Sequence, residues 1–211
     1  MHNENSTMRK LVVLSFVSLD GVMQAPGGPE EDRSGGFEYG GWTFPFFDET
    51  AGEIMDQQMT APFDLLLGKF TYDIFANYWP KQAENNSIRQ VFDAATKYVV
   101  SHEPFDAPWD KSVVITGDDV CEQLERLKQE DGPMLQVHGS AELIQTLLEH
   151  DLVDELWLKT FPVTLGTGKR LFAGGTRPAA FKLIDSKVTS SGVIFASYAR
   201  NGDVQTGSFV D

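Results

Sequence analysis

The sequence predicts an α/β protein with helices on the faces of a mostly parallel sheet of about eight strands, which ends in an antiparallel edge. Short apolar runs of strand length alternate along most of the chain with longer amphipathic segments, which is typical of a sheet covered by helices. The 211 residues, 41% of them hydrophobic, are enough for one large core, and no change in composition indicates a second. We therefore expect a flexible tail at residues 1–8 and one domain over residues 9–211.

The N-terminal half contains the first strands and a long loop. The loop runs from residue 23 to Gly41, is rich in glycine, proline and acids, and is longer than most connectors, so it is either functional or partly disordered. Hydrophobic periodicity and breakers predict strands at residues 10–17 and 63–67, and helices at residues 48–59, 71–77 and 87–96.

The C-terminal half contains the remaining strands, the last two of which form a hairpin. Strands are predicted at residues 98–101, 112–116, 134–137, 156–161, 181–189 and 193–200, and helices at residues 118–130 and 141–149. The last two strands alternate well and are separated by Ser190, Ser191 and Gly192, which predicts an antiparallel pair. A glycine-rich loop at residues 162–172 follows the strand before them.

The composition excludes several classes of partner. A net charge of −14 argues against general binding to nucleic acid, which depends on dispersed cations. No apolar run approaches the roughly 20 residues of a membrane span, and the polar N-terminus lacks a signal peptide, so we expect a cytoplasmic protein without a membrane partner. Cys121 is the single cysteine, and neither CxxC nor HExxH occurs, so we predict no metal.

Two strands end in glycine and lead directly into helices. Gly139 and Ser140 precede a helix whose free N–H groups favour an anion, although Gly-Ser before a helix is more often a helix cap than a ligand site. Gly68 and Lys69 follow another strand, where the lysine is either solvated or placed to neutralise a bound phosphate. Two such turns on neighbouring strands are what the separated phosphates of a dinucleotide require.

Further candidates lie in loops. Asp48 follows a dense aromatic run and opens a helix, so it is either a carboxylate tuned for proton transfer or a helix cap. Gly166 and Gly168 stand beside two cations, in a loop that either approaches a ligand or supplies positive φ angles. His102 and His138 each follow a strand without the spacing of metal ligands.

Together these stretches resemble the dihydrofolate reductase-like superfamily, and more closely its branch related to the C-terminal reductase domain of the bifunctional riboflavin-biosynthesis deaminase/reductase. The resemblance covers about residues 9–200. It rests on LSFVSLDGVMQAPG, LLLGKFTYDIFANYWP, YVVS, VHGSAELIQTLLEHDLVDELWL and FPVTLGTGKRLF, in that order. It implies a three-layer α/β/α fold in which NADPH lies across the carboxyl ends of the sheet.

The resemblance also assigns roles to residues. It implies cofactor contacts from Ser18, Gly21, Gly68, Lys69, Thr71, Ser101, His102, His138, Gly139, Ser140, Ala141, Glu142, Leu143, Gly166 and Gly168. Asp20 and then Asp48 are the predicted catalytic acids. Trp42, Phe44, Phe46 and Phe47 are predicted to wall the substrate pocket.

Two departures from the family pattern are expected to matter. His138 precedes the glycine turn and either crowds the pyrophosphate or hydrogen-bonds to it, while one extra residue shifts Asp48 from the place of the pterin-binding acid. We expect an NADPH-dependent reductase that transfers hydride to a C=N or C=O of a small heterocyclic or aromatic molecule. The alternatives are a non-catalytic nucleotide-binding homologue and a true dihydrofolate reductase. A homodimer is expected from the same resemblance.

Overall fold

A computed structural model describes residues 8–174 and 176–209. The strands are β1 (Leu11–Ser18), β2 (Phe63–Gly68), β3 (Lys97–Val100), β4 (Ser112–Ile115), β5 (Met134–His138), β6 (Glu155–Phe161), β7 (Phe181–Val188) and β8 (Ile194–Arg200). The helices are α1 (Glu49–Gln58), α2 (Lys69–Tyr78), α3 (Ser87–Ala94), α4 (Val120–Gln129) and α5 (Ala141–Glu149). Residues 1–7 of the predicted tail lie outside the described residues, and the division into tail and domain stays a prediction.

All eight strands form one sheet, in the order β4-β3-β2-β5-β1-β6-β8-β7. The six strands from β4 to β6 are parallel, whereas β8 runs antiparallel to both of its neighbours. β1 lies between two other parallel strands and is almost entirely buried, which explains its nearly continuous apolar sequence, LVVLSFVS. The predicted mixed sheet with a C-terminal antiparallel hairpin is confirmed.

Helices cover both faces of the sheet. On one face, Leu124 of α4 and Ile144 and Leu147 of α5 pack with Val13 and Val137 in a single buried cluster. The other face carries α1, α2 and α3, whose buried side chains fill two further clusters. The three layers predicted from the sequence are therefore present.

A buried ion pair joins the amino ends of several strands. Arg9 precedes β1, and its guanidinium pairs with the carboxylate of Asp64 on β2 at 2.5 Å. The same carboxylate accepts a hydrogen bond from the Thr96 N–H at 2.9 Å, and Arg9 Nε donates to the Pro133 carbonyl at 2.7 Å. Because Thr96 and Pro133 directly precede β3 and β5, these contacts fix four strands relative to one another.

The long loop after β1 is ordered by its own polar contacts. The Gln24 side chain donates to the carbonyls of Asp32 and Ser34, and accepts from the Lys169 N–H at 2.9 Å. Phe37 in the same loop is 3% exposed. The composition of the loop left open whether it is functional or partly disordered. The structure shows an ordered loop.

Candidate active site

A cavity of about 1240 Å³ lies at the carboxyl ends of the parallel strands. It is lined by the ends of β2, β3 and β5, by the first turns of α2 and α5, and by the loops after β1 and β3. Such crevices at the carboxyl ends of α/β sheets are the usual place for a ligand. The volume exceeds the roughly 300–1,000 Å³ of a typical single-ligand pocket.

The two glycine turns predicted from the sequence form one structural unit. The Gly68 N–H donates to Ser140 Oγ at 2.9 Å, and the Ser140 N–H donates to Thr71 Oγ1 at 2.8 Å. Ser140 stands at the N-cap position of α5, but its side chain makes no capping hydrogen bond to the helix. Its hydroxyl instead holds the end of β2 against the start of α5.

Gly139 occupies a position where a side chain does not fit. Its φ angle is +56°, and a Cβ atom there would lie 3.2 Å from Thr71 Oγ1. The turn therefore brings its backbone to the cavity wall, where Gly139, Ser140 and Ala141 are all exposed to the cavity. Because the first N–H groups of a helix lack intrahelical partners, this edge of the cavity suits a phosphate.

Lys69, the cation predicted in this region, forms an ion pair with an acidic neighbour. Lys69 lines the cavity, but its ammonium pairs with Asp73 at 2.5 Å and lies 4.5 Å from the Phe105 ring centre. Ser101 and His102 line the same cavity, and Ser101 Oγ donates to the Glu103 carbonyl. The backbone N–H groups, more than unpaired cations, are thus the donors that this side of the cavity offers.

Asp20 connects two loops beside the cavity. Its carboxylate accepts a 2.6 Å hydrogen bond from Ser18 Oγ, and further bonds from the N–H groups of Gly166 and Leu165 at 2.8 and 3.1 Å. The hydrogen bond from Ser18, followed by those of the backbone, lowers the pKa of Asp20 to about 2. Such a carboxylate stays ionised at neutral pH, so it is suited to holding the loops and poorly suited to donating a proton.

The glycine-rich loop after β6 packs against the protein with its second glycine. Gly168 has a φ of +115°, and a Cβ there would lie 2.8 Å from Val22 Cγ1 and 2.9 Å from the Phe37 ring. Ser18, Gly21, Gly166 and Gly168 are not among the residues that line the cavity. Their predicted cofactor contacts stay predictions, and the geometry gives them a role in shaping the loops.

Asp48 caps helix α1. Its carboxylate accepts from the Ala51 N–H at 2.9 Å, from Ser190 Oγ at 2.7 Å and from the Ser191 N–H. The hydrogen bond from Ala51, with the one from Ser190, lowers the pKa of Asp48. Of the two interpretations left open by the sequence, the structure supports the cap, and Asp48 does not line the cavity.

The predicted aromatic wall divides into two pairs. Phe44 and Phe47 line the cavity. Trp42 and Phe46 instead pack on Phe161, with ring centres 5.3 and 6.0 Å apart. Only the first pair is therefore placed to contact a ligand directly.

The apolar end of the cavity contains side chains that the sequence did not indicate. Phe16 of β1, Met55 of α1 and Phe75 of α2 line it, on the face of the sheet covered by α1, α2 and α3. No regular motif joins these positions. They come from three elements, and their only signal was apolarity, which core residues share.

His138 points into this apolar end. Its ring lies 5.6 and 6.2 Å from the rings of Phe92 and Phe75, and Nε2 is 3.1 Å from Gln136 Oε1. Burial, together with the charge of Lys159, lowers the pKa of His138 to about 3, so the imidazole is neutral. Its predicted contact with a pyrophosphate stays a prediction, and the structure places its ring among aromatic side chains.

Lys159 is the charged residue that sequence reasoning missed. It lies on β6, is 3% exposed and lines the cavity. Burial lowers the pKa of its ammonium to about 7. A signal was present in the sequence, because Lys159 directly follows the apolar run LWL inside the strand ELWLKTF.

Two further kinds of site, a metal centre and a membrane span, can be checked in the described part of the chain. Across residues 8–174 and 176–209, no group of three or more His, Cys, Asp and Glu side chains is placed to bind a metal. Within the same ranges, each helix is too short or too polar to cross a membrane.

Comparison with known proteins gives matches over most of the chain. A sequence model of the RibD C-terminal domain family matches residues 9–195. The uncharacterized protein YyaP of Bacillus subtilis (strain 168) is 26% identical over 201 residues, which cover 94% of this chain and 98% of that protein. The family resemblance inferred from the motifs is confirmed.

Solved structures agree on the fold. A putative riboflavin biosynthesis protein from Shewanella sp. PV-4 superposes with a TM-score of 0.60 at 20% identity, over 91% of this chain and 99% of that one. Dihydrofolate reductase from Enterococcus faecalis, complexed with NADP(H) and RAB-propyl, gives 0.56 at 16% identity, over 91% and 96%. At these identities the comparison shows that the fold is shared, and it carries no information about the substrate.

Proposed function

Because the chain belongs to the RibD C-terminal domain family, we propose that it is an NADPH-dependent reductase. It transfers hydride to a small heterocyclic or aromatic substrate. The observation that carries this proposal is the cavity of about 1240 Å³, with the first turns of two helices at one side and an apolar end at the other. It has room for two ligands, as hydride transfer between a cofactor and a substrate requires.

The residues at the polar side fit a dinucleotide. Gly139 packs closely against Thr71 without a Cβ, and the first turns of α2 and α5 both open on the cavity. The hydroxyls of Thr71 and Ser140 hold the two turns together, so the first turns of α2 and α5 lie side by side at the cavity. When bound, NADPH supplies the hydride. The protein binds its phosphates, orients it and excludes water.

The residues at the other end fit a flat, largely apolar molecule. Phe16, Phe44, Phe47 and Phe75 line the cavity, together with Met55. Aromatic rings prefer to pack against aromatic rings and thioethers. These walls are the reason for proposing a heterocyclic or aromatic substrate.

A true dihydrofolate reductase is the less favoured alternative. The resemblance places the pterin-binding acid near Asp48, but Asp48 caps α1 and contacts Ser190 and Ser191. A non-catalytic nucleotide-binding homologue would keep the glycine turns and lose turnover. Activity with dihydrofolate would support the folate enzyme, and NADPH binding without any turnover would support the non-catalytic homologue.

Cofactor binding is tested first. The protein is titrated with NADPH and, in parallel, with NADH, while nicotinamide fluorescence and the melting temperature are followed. We expect saturable NADPH binding with a dissociation constant on the order of 1 μM to 1 mM. No response to millimolar NADPH would overturn both the reductase and the nucleotide-binding alternative.

Turnover is tested next, by following the absorbance of NADPH with dihydrofolate, pyrimidine and quinone substrates. Oxidation that depends on a pyrimidine or a quinone supports the proposal. Oxidation with dihydrofolate and inhibition by antifolates would favour the folate enzyme. Binding without oxidation in any of the three cases would favour the non-catalytic homologue.

A further inference from the structure

Lys159 carries a buried charge whose donors are not used by the protein. An ammonium has three N–H donors. Among residues 8–174 and 176–209, no group forms a hydrogen bond or an ion pair with the Lys159 ammonium, and the Phe16 ring centre lies 5.5 Å from Nζ. Lys159 is 3% exposed and lines the cavity, so its donors are left for water or a ligand in the cavity.

The other buried lysines show that this chain normally satisfies such groups. Lys97 donates to the carbonyls of Asp93 and Asp110, at 3.3 and 3.1 Å. Lys128 donates to the Leu152 carbonyl and pairs with a carboxylate at 2.7 Å. Lys159 differs from both because its side chain lines the cavity, where a ligand can supply the missing acceptors.

The neighbours of Lys159 provide no compensating charge. In the sheet it lies opposite Phe16 on β1 and Phe195 on β8. The titratable group that its charge affects is His138, which is neutral, and no carboxylate acts on the ammonium. The apolar end of the cavity is therefore electropositive and poor in acceptors.

We propose that Lys159 binds an oxygen atom of the substrate, so that the substrates of this site are aromatic or heterocyclic compounds with a conjugated carbonyl. This inference rests on the proposed function and narrows its substrate class. An ammonium attracts a carbonyl or enolate oxygen and repels protonated nitrogen groups. The same site disfavours ligands that present amidine or guanidine groups at this end.

In the proposed reaction, Lys159 donates a proton to the carbonyl oxygen of the substrate. A hydride, which NADPH would supply when bound, forms a C–H bond at the carbonyl carbon, and the electron pair of the C=O bond moves to oxygen. An N–H bond of the Lys159 ammonium breaks, and its proton forms the O–H bond of the alcohol. The cofactor is oxidised, the carbonyl is reduced, and the neutral amine regains a proton from solvent. Lys159 is thus both the electrostatic partner of the oxyanion and the proton donor.

Binding of 4-nitrophenol tests the site without requiring turnover. Its phenolate carries a charged oxygen on an aromatic ring, and its absorbance reports ionisation. We expect the wild-type protein near neutral pH to increase the phenolate fraction on binding, and Lys159→Met to weaken phenolate binding at least tenfold. Lys159→Arg keeps a charge and should retain binding within a few-fold of wild type.

Three controls separate the possible causes. Lys182→Met removes an exposed lysine on β7 and should bind like wild type. 4-Nitroanisole lacks the ionisable oxygen, so its affinity should not differ between wild type and Lys159→Met. Thermal unfolding checks that each variant is folded, and an apolar residue at position 159 should not lower the melting temperature.

The outcomes distinguish this inference from the proposed function. Equal phenolate binding by wild type and Lys159→Met, or no binding by wild type, would overturn the inference even if NADPH binds. If the protein does not bind NADPH but shifts the phenolate equilibrium in a way that depends on Lys159, the reductase proposal is overturned and the oxygen-binding site stands. In the expected result, Lys159→Met changes the NADPH dissociation constant less than twofold.

Discussion

At the scale of single residues, Asp20 joins the loop after β1 to the loop after β6 through one carboxylate. Its folded-state pKa of about 2 is below the ordinary value of 3.8, so its hydrogen bonds stabilise the folded protein in full above pH 3.8. This contribution is lost as the pH falls toward 2, because the carboxylate is then protonated in both states.

We therefore predict that Asp20→Asn destabilises the protein most at neutral pH. The difference in unfolding free energy from wild type should shrink as the pH falls through the window from 3.8 to about 2. Urea unfolding at a series of pH values measures it. Asp185→Asn, an exposed site on β7, serves as the control. A difference that does not depend on pH would contradict the assigned hydrogen bonds.

Gly139 provides a second prediction at this scale. Gly139→Ala places a Cβ 3.2 Å from Thr71 Oγ1 at a φ of +56°, which costs about 1–3 kcal/mol and moves the turn. We expect lower stability and an NADPH affinity at least tenfold weaker, measured by unfolding and fluorescence titration. Gly52→Ala is the control, because Gly52 lies in α1 and a Cβ there has no neighbouring atom within 4 Å. Its stability should rise by about 0.5–1 kcal/mol. A neutral effect at Gly139 would show that the turn is not tightly packed.

At the scale of elements, Thr71 connects α2 to the turn before α5. Thr71→Val removes the oxygen that accepts the Ser140 N–H, at a side chain that is 6% exposed. An unsatisfied buried donor costs about 1–3 kcal/mol, so we predict a loss of that size, together with weaker NADPH binding. Thr71→Ser keeps the acceptor and should retain most of both. Equal losses in the two variants would point to the methyl group and not to the hydrogen bond.

The elements were the most predictable part of the fold. Strand and helix periodicity located all eight strands and five helices, because each has one or two faces that must be apolar. The ends were less predictable. α2 begins at Lys69, immediately after β2, whereas the sequence predicted a start at residue 71. A strand that passes into a helix without a loop leaves no turn residue other than Gly68 to indicate the boundary.

At the scale of the whole molecule, the Arg9–Asp64 ion pair fixes the amino ends of four strands. Both residues are buried, at 4% and 9% exposure, so Arg9→Met leaves a carboxylate without its partner. We predict a loss of about 3–5 kcal/mol in unfolding free energy, measured with urea. Adding Asp64→Asn to Arg9→Met should recover part of it, since no unpaired charge remains. A single-variant loss under about 1 kcal/mol would show that water reaches the pair.

The homodimer expected from the family resemblance is a prediction at this scale as well. Sedimentation velocity over a range of micromolar concentrations should give a mass twice that of the chain. A monomer at all these concentrations would contradict it.

The sequence by itself determined the fold class, the family and the two glycine turns, because periodicity, glycine and helix starts are local properties of the chain. Only the tertiary structure decided what the carboxylates and Lys159 do. Asp48 meets Ser190 and Asp20 meets Gly166 across more than 140 positions of sequence. Lys159 becomes unusual only when its surroundings hold no acceptor. The partners and the burial of a side chain depend on residues that are close in space and distant in sequence. These neighbours determine its charge, its pKa and its access to a ligand.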